Sequence, residues 1–221
     1  MKISKKIAST KPSSSTGPRS LRSSMRGFSL LEMMIVVAIG LTATAIGVMT
    51  LIPMMKSGHV SEAYNTTLMA MRQARERAIA EQRTYVVAFN KTAVLPNTVT
   101  ITQASTNTLI ATYPLPMDTA FDNEPGIPTS GTTPPVTPDG FGAGAKPIHF
   151  DIGVGSGSTS VYFMPDGSGQ DVNGNINNGV LYVAMSGDLY SSRAITLWGT
   201  TGRIRGWRLY PSGASNTWRQ Q

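Results

Sequence analysis

The sequence predicts an α+β chain in which one long N-terminal helix precedes an antiparallel β-rich head. Three observations carry this. Residues 28–55 form a largely apolar run in which Glu32 is the single charged residue. Apolar residues then recur at three- and four-residue steps from Val60 to Ile79, the spacing of one helix face. From Thr84 onward the chain breaks into short β-branched and aromatic segments separated by turn residues, the pattern of antiparallel strands.

The formal net charge is +7 over 221 residues, and it is segregated. Lys2, Lys5, Lys6, Lys11, Arg19, Arg22 and Arg26 precede Gly27 with no acid among them, which leaves 12 Lys and Arg against 12 Asp and Glu from Phe28 onward. Residues 1–27 therefore read as the basic region of a targeting sequence, held on the cytoplasmic side of a membrane. The stretch 28–55 exceeds the roughly 20 apolar residues that span a bilayer core as helix. A removable secretory signal has a shorter apolar region ending in a small-residue cleavage site, which is missing here. Pro53 lacks an N–H and is expected to kink the helix, and Gly58 to bend the junction. Residues 56–83 continue as an amphipathic helix, burying Val60, Tyr64, Thr67, Leu68, Met71, Ala74, Ala78 and Ile79. Arg72–Glu76 and Arg77–Glu81 stand at i,i+4 on its other side.

In the head, residues 84–221, strands are expected at 84–90, 97–103, 108–113, 146–152, 159–165, 179–185, 193–199 and 202–210. The Pro- and Gly-rich segment 114–145 reads as a long surface loop inserted between strands, of a length that usually serves a function. The absence of cysteine excludes disulfides, thiolate zinc sites, a cysteine nucleophile and a lipidated-cysteine anchor.

Catalytic signatures are missing. No serine stands in G-x-S-x-G, and the glycine-rich 141–146 and 153–158 fit neither dinucleotide nor P-loop spacing. His149 and Asp151 would share one strand face, a lone pair expected to be structural. Asp171-x-Asn173-x-Asn175 opens like a calcium loop, but Ile176 and Tyr182 stand where glycine and glutamate are needed, so an Asn/Gly turn is expected. No enzyme activity, metal or cofactor is expected. Arg203 and Arg205, two apart on a strand, would share a face. With Arg208 and nearby Trp198, Trp207 and Tyr210 they form a basic, aromatic cluster suited to phosphate contact and base stacking, or an ordinary solvated strand face.

A carboxylate inside an apolar helix costs a few kcal/mol or more in hydrocarbon, so Glu32 needs a countercharge. Arg26-Gly27-Phe28-Ser29-Leu30-Leu31-Glu32 followed by the apolar run resembles the prepilin signature of type IV pilins and type II secretion pseudopilins. That resemblance implies cleavage after Gly27 by prepilin peptidase, methylation of the new N-terminal Phe28, and retention of the helix as the core of a filament. It implies pairing of Glu32 with the N-terminal amine of a neighbouring subunit. It also implies a single-pass inner-membrane protein with its head in the periplasm, and partners comprising other pilin or pseudopilin subunits and the inner-membrane assembly platform. FMPDGSG at 163–169 and RAITLWGTTGRIRGW at 193–207 resemble the C-terminal end of the GspH/FimT group of minor pseudopilins, whose heads are small β-sheets packed on the long helix. Segment 114–145 departs from that group. The resemblance leaves type II secretion and type IV pilus systems as alternatives, with DNA a further ligand if the Gly-Arg-x-Arg element acts as in FimT-like minor pilins.

Overall fold

A computed structural model describes residues 27–128, 136–142, 144–150, 158–213 and 215–221. Helix α1 spans Leu30–Glu81 and continues as one uninterrupted α-helix through Gly40, Gly47, Pro53 and Gly58. The chain divides at Ile46/Gly47 into two units.

The first unit contributes the apolar start of α1. Leu30–Val48 has a mean hydropathy of 2.1 and none of it is buried. Leu30, Leu31, Ile39 and Leu41 are each about two-thirds exposed or more. A helix that is apolar all round and covered by none of the described residues requires lipid or other helices.

The second unit is the rest of α1 and two antiparallel sheets. The first sheet has the order β3-β2-β1-β5-β6, with β1 Tyr85–Asn90, β2 Thr98–Gln103, β3 Thr108–Pro114, β5 Ser160–Phe163 and β6 Gly169–Gln170. The second has the order β10-β9-β8-β7-β4, with β4 Ile148–His149, β7 Gly179–Met185, β8 Asp188–Trp198, β9 Arg203–Ser212 and β10 Ser215–Gln220. The architecture is the expected α+β, pilin-like one. The main core joins α1 (Ala63, Tyr64, Leu68, Met71, Ala74, Ala78) to the first sheet (Tyr85, Val87, Phe89, Val99, Ile101, Val161, Phe163) and the second (Leu181, Val183, Ile195, Leu197). Four alanines on the buried stripe of α1, Ala63, Ala70, Ala74 and Ala78, let its backbone approach the sheets closely.

The helix stripe read from the sequence is buried except at its end: Ile79 is 39% exposed. Neither i,i+4 ion pair forms. Among the described residues the ion pairs are His59–Asp118, Lys91–Asp122 and Arg205–Asp139. Glu81 accepts a hydrogen bond from the Tyr85 hydroxyl instead, and Arg75 donates to the carbonyls of Gly167 and Thr201 across the helix–sheet junction. An exposed i,i+4 pair is worth only about 0.3–0.5 kcal/mol, too little to hold two long solvated side chains together.

Segment 114–145 is not simply a surface loop. Leu115 and Phe121 enter the main core, and Ile127 and Phe141 enter a second core with Val180, Tyr182, Ala194, Leu209 and Trp218. Ala120 bridges Ala184 of β7, and the Asn97 side-chain carbonyl accepts the Phe121 N–H at 2.9 Å. Proline and glycine set an irregular backbone but do not decide whether apolar residues between them are buried. With the main core on one side and this segment on the other, β7 is buried along its whole length, which explains its unbroken apolar sequence.

Boundaries differ in three further places. Strand β8 begins at Asp188 rather than 193, extended by polar residues that carry no strand pattern. Strands β6 and β10 lack alternating apolar residues and form because β5 and β9 offer free edges. The expected strand at 146–152 is reduced to Ile148–His149 among the described residues, and Asp151 lies outside them.

Candidate functional site

Gly27 and Phe28 precede α1 outside any regular element, and the Ser29 carbonyl accepts the Met33 N–H at 3.1 Å. That bond places Ser29 at the helix N-cap and Glu32 in the first turn, four residues beyond Phe28. Phe28 is 72% exposed. The helix N-terminus favours a carboxylate by about 0.3–1 kcal/mol, too little to offset placing it in hydrocarbon. An α-amino group created at Phe28 would be largely protonated at neutral pH and is the cation whose chemistry matches. Glu32 thus stands at the start of an apolar helix segment that no other described residue buries.

The C-terminal arginines divide between two faces. On β9, Arg203 and Arg205 share one face with Trp207, while Arg208 lies on the other. Arg203 is exposed and lines a cleft with Arg72, Arg75 and Glu76. Arg205 donates to Asp139 Oδ1 at 2.6 Å, and that carboxylate is 5% exposed. The second Asp139 oxygen accepts from the Thr196 hydroxyl, which in turn accepts the Trp207 Nε1–H at 3.0 Å. Arg205 is therefore neutralised within the fold and pins segment 114–145 to the second sheet. The glycines flanking these arginines are packing devices. A Cβ on Gly206 would stand 1.5 Å from the Tyr64 hydroxyl oxygen, so only glycine lets the helix tyrosine seat on β9. Gly202 has φ +61 and its Cβ would stand 1.8 Å from the Gly167 carbonyl oxygen.

Residues 22–48 match the family model of the prokaryotic N-terminal methylation motif. The N-terminus of this chain is type IV prepilin-like. No curated protein and no solved structure matches the chain. The prepilin-like motif implies processing by prepilin peptidase and assembly with other pilins, and with the single apolar helix Leu30–Val48 it fits a membrane-anchored pilin. The basic leader lies outside the described residues except for Gly27.

Beyond the prepilin-like motif, the remaining candidates have local explanations. The Asp171 carboxylate accepts the N–H groups of Asn173 and Asn175 and the Asn175 side-chain amide, all at 2.8–2.9 Å. These bonds, that from the Asn175 side chain foremost, hold its pKa below the usual carboxylate range and close an Asx turn. His149 lies in β4, where burial, with the Lys146 charge second, pushes its pKa down. Asp139 is the residue sequence reasoning missed. It sits in a Thr-Pro-Asp-Gly turn 66 residues before Arg205, and nothing local to either residue signals the pairing.

Proposed function

We propose that this chain is a minor pilin or pseudopilin of the GspH/FimT kind, a structural, non-catalytic subunit of a type II secretion pseudopilus or type IV pilus. Prepilin peptidase cleaves after Gly27, Phe28 is methylated, and the α1 rod packs into the filament. The protein is a single-pass component of the inner membrane with its head in the periplasm before extraction. The observation that carries this reading is the fully exposed apolar start of α1 with a lone carboxylate one turn from the cleavage position. Two opposite charges buried together are tolerable, whereas one left unpaired costs about 3–5 kcal/mol. The mature protein should begin at Phe28 on N-terminal sequencing. Glu32→Ala should leave that cleavage intact yet reduce incorporation into sheared filaments by more than about tenfold, one decade per 1.4 kcal/mol. Wild-type incorporation of Glu32→Ala would overturn the reading.

A FimT-like DNA-binding role is the second reading. In its favour, Arg203 is exposed and opens onto a cleft with Arg72 and Arg75. Against it, Arg205 is held by Asp139. Under this reading the purified full chain retards duplex DNA in a salt-sensitive manner, and Arg203→Ala weakens the retardation. Retardation unchanged by Arg203→Ala removes this reading.

A further inference from the structure

Just beyond the end of α1, the first sheet holds a cleft of about 490 Å³, within the size range of small-ligand sites. Gln82, Arg83, Ser105, Tyr162, Met164 and Gln170 are among the residues that line it. Tyr162 is half-buried and offers an aromatic ring with a polar end, with amide and hydroxyl groups around it. Arg83 and Asp171 bring one charge of each sign, so the lining has no net charge. Asp171 is already engaged by Asn173 and Asn175.

The cleft continues onto a wider surface. Tyr162 opposes Gln170 on one side and Val86 on the other, and this row runs on through Thr102 to Leu109. Directly opposed residues share a face. Ser160, Ala88, Thr100 and Thr112 form the next row, and Asn90 and Thr98 begin a third. All of these are half-buried or exposed, because the alternate residues Val87, Ile101 and Phe163 enter the core. None of the residues in these rows is charged, whereas about a quarter to a third of an ordinary soluble surface is charged.

That composition narrows what the face can hold. Nucleic acid requires Lys or Arg against its phosphates, and the rows contain neither. Protein interfaces draw their binding energy from Trp, Tyr and Arg, with Thr, Ser and Val under-represented; here Tyr162 alone belongs to the first set. The Thr98, Thr100 and Thr102 hydroxyls recur about 6.8 Å apart along β2, with Thr112 one strand spacing of about 4.8 Å from Thr100. Their side chains are β-branched and stiff at χ1. The Asn90 amide donates to the Thr98 and Thr100 hydroxyl oxygens at 3.2 and 3.4 Å, and each hydroxyl keeps its own proton to donate. Donors and acceptors fixed in advance lower the ordering cost of binding. Uncharged, regularly spaced and set beside an aromatic ring, they match a ligand that is itself uncharged and rich in hydroxyls.

We propose that the Tyr162 cleft and the outer face of the first sheet bind a neutral polysaccharide, with one sugar seated in the cleft and the chain lying across the threonine rows. The inference goes beyond the filament-subunit reading and does not depend on it.

Full-length protein in a detergent without a sugar headgroup should be retained on cellulose or chitin particles. The soluble hexamer of the retaining sugar should release it. Retention should persist as salt is raised, because the face carries no charge to screen. Tyr162→Ala, and separately Thr100→Val with Thr102→Val, should each lower retention about tenfold, a decade being close to the net worth of one hydrogen bond. The valine pair keeps the β-branched shape and removes only the hydroxyls. Arg219→Ala, on the second sheet, should change nothing. Retention on neither polymer overturns the proposal, as does retention indifferent to the valine pair. Failure of the hexamer to release the wild-type protein also overturns it, and that measurement needs no variant to fold. Stronger retention on acidic alginate assigns the cleft to an anion instead and sinks the neutral-glycan assignment. So does co-purification of another subunit, lost in Tyr162→Ala, with neither polymer retaining the protein.

Discussion

Gly202→Ala should destabilise the folded head more than any other single-methyl addition in the turns of the second sheet. A Cβ at this position would meet the Gly167 carbonyl oxygen at 1.8 Å and Arg75 Nε at 2.5 Å, and φ is +61. The backbone term is about 1–2 kcal/mol for an L-residue in the left-handed region, and overpacking adds about 1–3 kcal/mol. The oxygen in the way is backbone, and Gly167 is itself held by Arg75 at 3.0 Å, so neither side can give cheaply. The expected fall in melting temperature, read by circular dichroism in detergent, is on the order of 10 °C. Gly213→Ala is the internal control. Its φ is +59 with nothing within 4 Å of the added atom, so it should show only the backbone term of about 1–2 kcal/mol. Equal losses in the two variants would show that the helix–turn junction is looser than described.

Asp139→Asn should have the second largest effect, because it breaks a largely buried ion pair without disturbing the turn. Asp139 has φ 51, a region asparagine tolerates. Arg205 keeps its charge and loses its countercharge. Loss of one partner from a buried pair costs about 3–5 kcal/mol; with Arg205 27% exposed, water screening reduces this to about 2–3 kcal/mol. The Thr196 hydroxyl and the Trp207 indole N–H are linked to the same carboxylate, and Trp198 packs on Phe141 at 4.8 Å. Tryptophan emission should therefore shift together with the lowered unfolding midpoint. Adding Arg205→Gln should recover part of the loss, because the cost lies in the orphaned charge. A double variant no more stable than Asp139→Asn alone would show that the pair does not hold segment 114–145.

Legibility from sequence followed the range of the interactions. The stripe Val60, Tyr64, Leu68, Met71, Ala74, Ala78 was readable because helix periodicity is local, and the strands at 85–90, 98–103 and 179–185 because β-branched runs bounded by turn residues have few other uses. Strand β10 was not readable. Apart from Trp218 it is polar, and it exists because β9 presents an edge to it. The role of 114–145 was not readable either, since turn chemistry says where a chain bends and not what it covers.

The candidate sites divide in the same way. Glu32 and the Gly27–Phe28 position are set by a short linear pattern, since a peptidase reads consecutive residues and a lone acid in an apolar run is anomalous wherever it occurs. The arginines had no such local meaning. Their spacing placed Arg203 and Arg205 on one face, but not that Arg208 turns to the other, nor that Asp139 neutralises one of them, nor that Arg208 aligns with Arg193 and Arg219. Sequence alone determined the exposed apolar rod, its acid and the antiparallel head, because each follows from periodicities of two to four residues. Only the tertiary structure decided which cation meets which acid, because charges pair through space across 66 residues of chain.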